Sequence, residues 1–386
     1  MTAHVVVLGS GYAGAGAIKR LEDELRGAAD ITWISDVDYH LVLHEVHRCI
    51  SDPAVQEKIT IPIEEIKSPS TRFVEGHVEN VDVDARQVQL DDERAIEYDY
   101  LLVAVGSETA FFGLDGLKEH AHTLKSLDDA LGIHDAIRDA AREASSDDPA
   151  RVVVGGAGLS GIQTAGEVAR FRDEVDAPLD IVLVEALDSV LPNSDSELQE
   201  ALRRRLEARD IRIKTGEFIR AADEDSVTVG EQRVGYDVLV WTGGITGRKE
   251  MAGVGVEKDR DSNRIKTETT FRTDDERVFA VGDAALVDQP SGEPVPPNAQ
   301  AAWDAAEVAG ENVARAIRGQ PLETWTYEDK GTAVSIGEDA VAHDVMNLPI
   351  STFGGLPARL LKKAIAARWI ADITSPSRAI AAWGDM

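Results

Sequence analysis

Two stretches of the chain repeat one pattern: a short apolar run, a glycine-spaced turn, then apolar positions at helical spacing. In the first, His4-Val5-Val6-Val7-Leu8 shows no polar alternation after His4, as expected of a strand buried on both faces. The turn Gly9-Ser10-Gly11-Tyr12-Ala13-Gly14 follows, Ala15 to Leu25 reads as a helix, and Ile31 to Ile34 is a second strand ending at Ser35-Asp36. Glycines at this spacing allow a tight turn and close approach of the backbone to a diphosphate, and an acid about 20 residues later binds ribose hydroxyls. The pattern restarts at the strand Arg151-Val152-Val153-Val154, with Gly156-Ala157-Gly158-Leu159-Ser160-Gly161 opening a helix and Ile181-Val182-Leu183-Val184 ending in Glu185. An acid there accepts a free 2′-hydroxyl and repels a 2′-phosphate, which favours NADH over NADPH.

The remaining pattern joins the two units. Residues 72–105 alternate in short strands and end in Tyr100-Leu101-Leu102-Val103-Ala104-Val105-Gly106, a buried strand returning to the first sheet. A helix begins around 123–127, and Ala144-Ser145-Ser146-Asp147-Asp148-Pro149 reads as a solvated linker. Tyr236 to Trp241, followed by Thr242-Gly243-Gly244, closes the second unit. Val278 to Val281 then runs into Gly282-Asp283, and Asn298 opens a helix at Ala299-Gln300-Ala301-Ala302. A strand ending in Gly-Asp facing a helix start offers close backbone approach, a hydroxyl acceptor and a partial positive charge. The expected architecture is α/β, with two Rossmann-like dinucleotide-binding units, the second inserted in the first. The boundaries are 1–115 with 268–325 for the first, 116–267 for the second, and 326–386 for a C-terminal segment with an amphipathic helix.

Composition narrows the function. The 386 residues carry 70 acidic and 40 basic side chains, a net charge of -30, which argues against nucleic acid as a partner. The carboxylates are scattered, as in Asp82-Val-Asp84 and Asp223-Glu224-Asp225, and suit a halophilic protein whose surface repulsion is screened by salt. A single cysteine, Cys49, leaves no disulfide and no redox-active pair, and reads as a small buried side chain. No leader precedes the first strand and no apolar run spans a membrane, so a cytoplasmic protein is expected, peripheral on the inner membrane face at most. His44-Glu45-Val46-His47 lacks metal-ligand spacing and reads as packing or a turn, so no metal site is expected.

With two fingerprints and the Gly-Asp strand end in place, the sequence resembles the two-dinucleotide-fold flavoprotein reductases, and among them the type II NADH dehydrogenases (NADH:quinone oxidoreductases). Tyr39-His40, Ala299-Gln300-x-Ala302, Asp329-Lys330-Gly331, Ile336-Gly337 and Phe353-Gly354-Gly355-Leu356 carry that likeness. The resemblance implies that Gly9, Gly11 and Gly14, with Tyr12, Ala13, His40, Val78, Ala104, Gly106, Gly282, Asp283, Asn298 and Ala299, hold FAD. It implies that Gly156, Gly158, Gly161, Glu185 and Gly243 hold NADH, and that electrons pass to a membrane quinone without proton pumping. Three positions depart from the family pattern. Ser35 stands where the ribose acid is usual and Asp36 comes one residue later, so both are candidates. Asp304 replaces the usual Gln or Glu, and Gln163 stands where many members carry Glu. An amide carries no proton, so a relay through position 163 is absent or rerouted.

For the acceptor half, Gln300 is a candidate donor to a quinone carbonyl, Lys330 for the flavin edge or a quinone oxygen, and Asp304 for proton donation. Each also has a bland reading, as a helix-start amide, a surface lysine and a solvated carboxylate. In Pro357–Ile370, Leu360, Leu361, Ala364, Ile365 and Trp369 fit one helical face, with Arg359, Lys362, Lys363 and Arg368 largely off it. Residues 354–386 are therefore expected to lie on a membrane surface, with Trp369 at headgroup level; the other readings are a helix packed on a twin subunit in a homodimer or on the chain's own core. Two alternatives stand beside NADH:quinone reduction. One is a flavoprotein reductase of a soluble acceptor, the other a flavin-bound NADH sensor with little turnover.

Overall fold

A computed structural model describes residues 2–345 and 350–383; residues 346–349 and 384–386, both within the expected C-terminal segment, lie outside the described residues. Two parallel sheets organise the chain. The first has the strand order Val278–Ala280, Tyr100–Val103, Ala3–Leu8, Ala29–Ser35, Arg72–Glu75. The second has the order Ile211–Lys214, Leu179–Val184, Ala150–Gly155, Val238–Trp241. In each, the strand before the glycine turn pairs in parallel with later strands on both sides. The chain order reverses at that strand, and the crevice at its C-terminal end is where such sheets take ligands.

The central runs Val5–Leu8 and Val152–Val154 are fully buried, which is why they lack polar alternation. Two helices press on the first sheet. Ala299–Ile317 crosses Tyr12–Leu25 so closely that a Cβ on Gly16 would lie 2.7 Å from the Ala306 Cβ, and one on Gly310 would lie 2.8 Å from the Ala17 carbonyl oxygen. The helix Leu127–Glu143 starts in a capping box between Ser126 and Asp129, which fixes its entry. Each unit also carries a three-stranded antiparallel sheet, 78–97 and 219–235. Ser107–Thr109 pairs with Ile245–Gly247 where the chain crosses between units. Cys49 is fully buried, and burial pushes its thiol up to about 12.

After residue 331 come the antiparallel strands Thr332–Ile336, Asp339–His343 and Thr352–Gly354, then the helices Leu356–Ile373 and Pro376–Trp383. Among the described residues no helix is long and apolar enough to cross a membrane.

Candidate dinucleotide cavity and its supports

A cavity of about 390 Å³ opens at the reversal point of the first sheet. Gly9, Gly11, Tyr12 and Ala13 of the first turn line it, together with Ser35, Asp36 and Val78 and with Ala104, Gly106, Asp283, Asn298 and Ala299. Gly9 has φ +98°, and a Cβ there would lie 2.4 Å from the Ala104 carbonyl oxygen; one on Gly14 would lie 1.9 Å from the Gly9 oxygen. Only glycine builds this turn. Around Gly11 nothing lies within 4 Å of an added Cβ, so the backbone faces open space. The helix then starts at Tyr12 with no side-chain cap, which leaves first-turn N–H groups for an anion. The helix at Ala299 contrasts, since Asn298 Oδ1 accepts from the Ala301 N–H at 2.8 Å. The second turn repeats the first: Gly156 has φ +93°, a Cβ on Gly161 would lie 1.8 Å from the Gly156 oxygen, and Gly158 leaves its helix uncapped. Both turns thus suit a diphosphate-bearing dinucleotide.

Charged groups line the first cavity. Ser107 Oγ donates to Asp283 Oδ2 at 3.1 Å and receives the Lys125 ammonium at 3.0 Å, while Arg264 Nε donates to the Asp283 carbonyl at 2.9 Å. Burial lowers the pKa of Lys125 and Arg264, and Asp283 opposes that fall. Ser35 is buried and its hydroxyl donates to Ser10 Oγ at 2.9 Å, whereas Asp36 is more open, with Arg248 at 3.6 Å. In the second unit the Glu185 carboxylate accepts from the Ala157 N–H at 2.7 Å and the Leu187 N–H at 3.0 Å. It therefore braces the second turn from within.

Behind the first turn lies a buried polar cluster that sequence reasoning took for ordinary packing. His40 Nδ1 donates to the Ser10 carbonyl at 2.7 Å, and Trp369 Nε1 donates to His40 Nε2 at 2.8 Å. Burial, then repulsion from His44 against the Ser10 bond, holds His40 at about 4; burial likewise holds His44 at about 4 and His47 well below its usual value. Tyr12 and His44 hydrogen-bond each other. Lys362 Nζ reaches Glu45 Oε1 at 3.1 Å and Ser335 Oγ at 2.8 Å, and His47 Nε2 lies 2.8 Å from the same hydroxyl. The Gln163 amide belongs with its oxygen toward Lys362 Nζ at 2.8 Å, because an ammonium only donates. Burial opposes ionisation of Glu45, but Lys362, His44 and Arg48 outweigh it and lower its pKa; burial lowers that of Lys362.

Residues 3–306 match the family described as pyridine nucleotide-disulphide oxidoreductase. The type II NADH:quinone oxidoreductase of Staphylococcus saprophyticus is 30% identical over 387 residues, covering 94% of this chain and 94% of that protein. The chain belongs to the type II NADH:quinone oxidoreductases. The Staphylococcus aureus relative of the same name is also 30% identical, over 96% of this chain and 95% of its own. The fold is shared with NDH2 from Plasmodium falciparum solved in complex with NADH (TM-score 0.85, 15% identity, 100% and 98% of the two chains). It is also shared with the sulfide:quinone oxidoreductase of Aquifex aeolicus (TM-score 0.80, 19% identity, 98% and 92%).

Against the type II dehydrogenase expectations, the site residues separate into groups. Gly9, Gly11, Tyr12, Ala13, Ser35, Asp36, Val78, Ala104, Gly106, Asp283, Asn298, Ala299 and Gln163 line the cavity together. Gly14 and Gly282 support it from behind, His40 sits beneath the turn, and Gly156, Gly158, Gly161, Glu185 and Gly243 gather at the second turn. Gln300, Lys330 and Asp304 do not line the cavity. Gln300 Nε2 donates to the Glu328 carbonyl at 2.8 Å, and Lys330 pairs with Asp304 at 2.5 Å in a partly exposed position. Sequence reasoning missed Ser107, Lys125, Arg248 and Glu250, read Glu45 as part of a packing stretch or turn, and placed Lys362 and Trp369 on the wrong sides of their helix.

The C-terminal helix corrects the expected amphipathic face. Trp369 is 1% exposed and Lys362 7%, so neither lies at a headgroup or on a solvated side. The inward stripe is Ala358, Lys362, Ala366, Trp369, Ile370 and Ile373, spaced at helical repeats. Leu356, Leu360 and Ile365 point outward instead. The physical reason is the buried Glu45, which gives Lys362 a partner inside and turns the helix by that anchor. Asp195, Glu197 and His343 bring ligand atoms within 4.8 Å of one another, but Asp195 caps its helix and Glu197 accepts from Ser351.

Proposed function

We propose that this protein oxidises NADH and reduces a membrane quinone, with FAD resident in the first cavity and NADH exchanging at the second turn. The observation that carries this reading is the pair of uncapped, glycine-built helix starts on two parallel sheets of one chain. When bound, FAD supplies hydride acceptance from NADH and electron delivery to quinone. The chain's own work is positioning and field. First-turn N–H groups at Tyr12–Gly14 bind the diphosphate, Asp36 takes ribose hydroxyls, and Asp283, held by Ser107, orients the polyol chain. The helix start at Ala299, which lines the cavity, would favour negative charge on a flavin bound there. On this reading residues 1–115 with 268–325 are the FAD domain and residues 116–267 the NADH domain.

The outer side of the last two helices supports peripheral membrane docking. Leu356 is 64% and Ile380 75% exposed, with Leu360, Ile365 and Trp383 also outward, on helices too short or too polar to cross. The same patch would serve a homodimer. Liposome flotation and sedimentation of Leu360→Asp and Ile380→Asp variants separate the two, since these changes leave Trp369 and Lys362 in place. The central experiment is anaerobic stopped-flow. NADH is expected to bleach the flavin absorbance and a short-chain quinone to restore it. A protein that purifies colourless, refuses FAD, or stays oxidised under excess NADH would overturn the reading. Full bleaching without quinone-driven recovery would favour a soluble acceptor or a sensor.

A further inference from the structure

One end of the cavity holds two charged side chains whose polar atoms the protein leaves unsatisfied. Arg248 and Glu250 both line the cavity, beside Asp36 and His77. They belong to the second unit's exit segment, just past Ile245–Gly247, and reach across to the first unit. Their segment is held there closely, since a Cβ on Gly253 would lie 2.7 Å from Asn80 Oδ1. Arg248 Nη1 lies 3.6 Å from Asp36 Oδ2, yet its Nε is buried with no hydrogen-bond partner. Glu250 Oε1 lies 3.5 Å from His77 Nε2, yet Oε2 is likewise buried and without a partner. Buried polar groups are nearly always satisfied, and an orphaned carboxylate oxygen and an orphaned guanidinium N–H on two residues of one cavity wall ask for a ligand that offers both a donor and an acceptor.

We propose that Arg248 and Glu250 read the adenosine half of the dinucleotide, Glu250 accepting from the exocyclic amino group of adenine and Arg248 donating toward the ribose beside Asp36. This rests on the reading of the first cavity as the FAD site, because Asp36 directly follows the strand Ala29–Ser35 that comes after the first glycine turn. A carboxylate only accepts, so it favours adenine, which presents an amino donor, and repels hypoxanthine, which presents a carbonyl in the same place.

The test is equilibrium exchange on the holoprotein, dialysed against an equimolar mixture of FAD and the analogue whose adenine is replaced by hypoxanthine. Bound flavins are then released and separated chromatographically. The wild-type protein is expected to retain FAD over the analogue by about tenfold or more. Glu250→Gln, nearly isosteric and able to donate or accept, is expected to bring that ratio to within about threefold of one. Arg248→Ala, which touches what both dinucleotides share, is expected to speed flavin release on dilution on the order of tenfold without changing the ratio. Equal retention by the wild-type protein, or a preference that survives in Glu250→Gln, overturns the proposal while leaving the FAD site standing. A wild-type protein that retains neither dinucleotide overturns both.

Discussion

The two nucleotide units build the same turn and support it differently. Gly9 and Gly156 share a left-handed φ, +98° and +93°, and a Cβ on the third glycine of either turn would lie 1.9 or 1.8 Å from the first glycine's oxygen. Behind the second turn stand its own strand ends: Thr242 Oγ1 donates to the Gly155 and Gly156 carbonyls at 3.0 and 3.1 Å, and Glu185 accepts from Ala157. Behind the first turn stands a side-chain chain from the far end of the sequence. Ser10 is held by His40, His40 by Trp369, and Trp369 packs on Tyr12 and Trp303 at centroid distances of 4.7 and 4.8 Å. A turn whose serine carbonyl is held by a buried His40–Trp369 chain suits a resident cofactor, while one braced by the strand ends of its own unit suits a substrate that must leave each cycle.

The sharpest way to break this comparison is to ruin each turn in the same manner. Gly14→Ala puts a Cβ into the Gly9 carbonyl, and the purified protein is expected to carry no flavin absorbance. Gly161→Ala makes the matching clash at Gly156, but flavin content is expected to stay normal while kcat/KM for NADH falls on the order of 100-fold. If both variants lose flavin alike, the two turns are not assigned to different ligands. Next in size is Trp369→Ala, which removes a fully buried indole and its bond to His40, at a cost of about 3–5 kcal/mol. Flavin release on heating should then precede melting of the second unit, as followed by flavin fluorescence against circular dichroism.

Acid probes the same lock more gently. His40 and His44 are held neutral, at about 4, by burial. The unfolded chain takes up these protons near pH 6.5 and the folded one only near pH 4, so stability is complete above pH 6.5 and is lost as the pH falls through that window. At 1.36 kcal/mol per unit the loss is on the order of 3 kcal/mol for one such imidazole, and His47 adds in the same direction. His122 of the second unit is lowered too, so some loss there is expected. Urea midpoints at pH 7 and pH 5, read by flavin release, should differ in the wild-type protein. They should differ less in a His44→Gln variant, whose amide does not titrate.

These effects divide along the line between what local pattern encodes and what it does not. The strands before each turn, the glycines and the helices after them were legible, because a parallel strand buried on both faces must be uniformly apolar and the turn tolerates only glycine. The C-terminal helix was misread for an equally physical reason. Its inward stripe contains Lys362 and two alanines, and its burial depends on Glu45, a partner that no local window contains. Gathering the most apolar side chains onto one face put Trp369 outside. The His44–His47 stretch was invisible as chemistry because its side chains gain meaning only beside Lys362, Gln163 and Ser335. Arg248 and Glu250 escaped because they come from the other unit.

The smallest expected effect concerns the residues that the sequence placed nearest the acceptor. Lys330 and Asp304 form a partly exposed pair across the start of the helix Ala299–Ile317, and such pairs are worth about 0–1 kcal/mol. Lys330→Ala should therefore shift the melting temperature little. Its effect on turnover decides what the pair is for, because it lies outside the cavity at the first turn. If the pair is surface decoration, quinone KM and kcat stay within about twofold of wild type. If quinone approaches along this helix start, flavin reduction by NADH is unchanged but reoxidation by quinone slows, and the same change in Asp304→Asn ties the loss to the pair rather than to one charge.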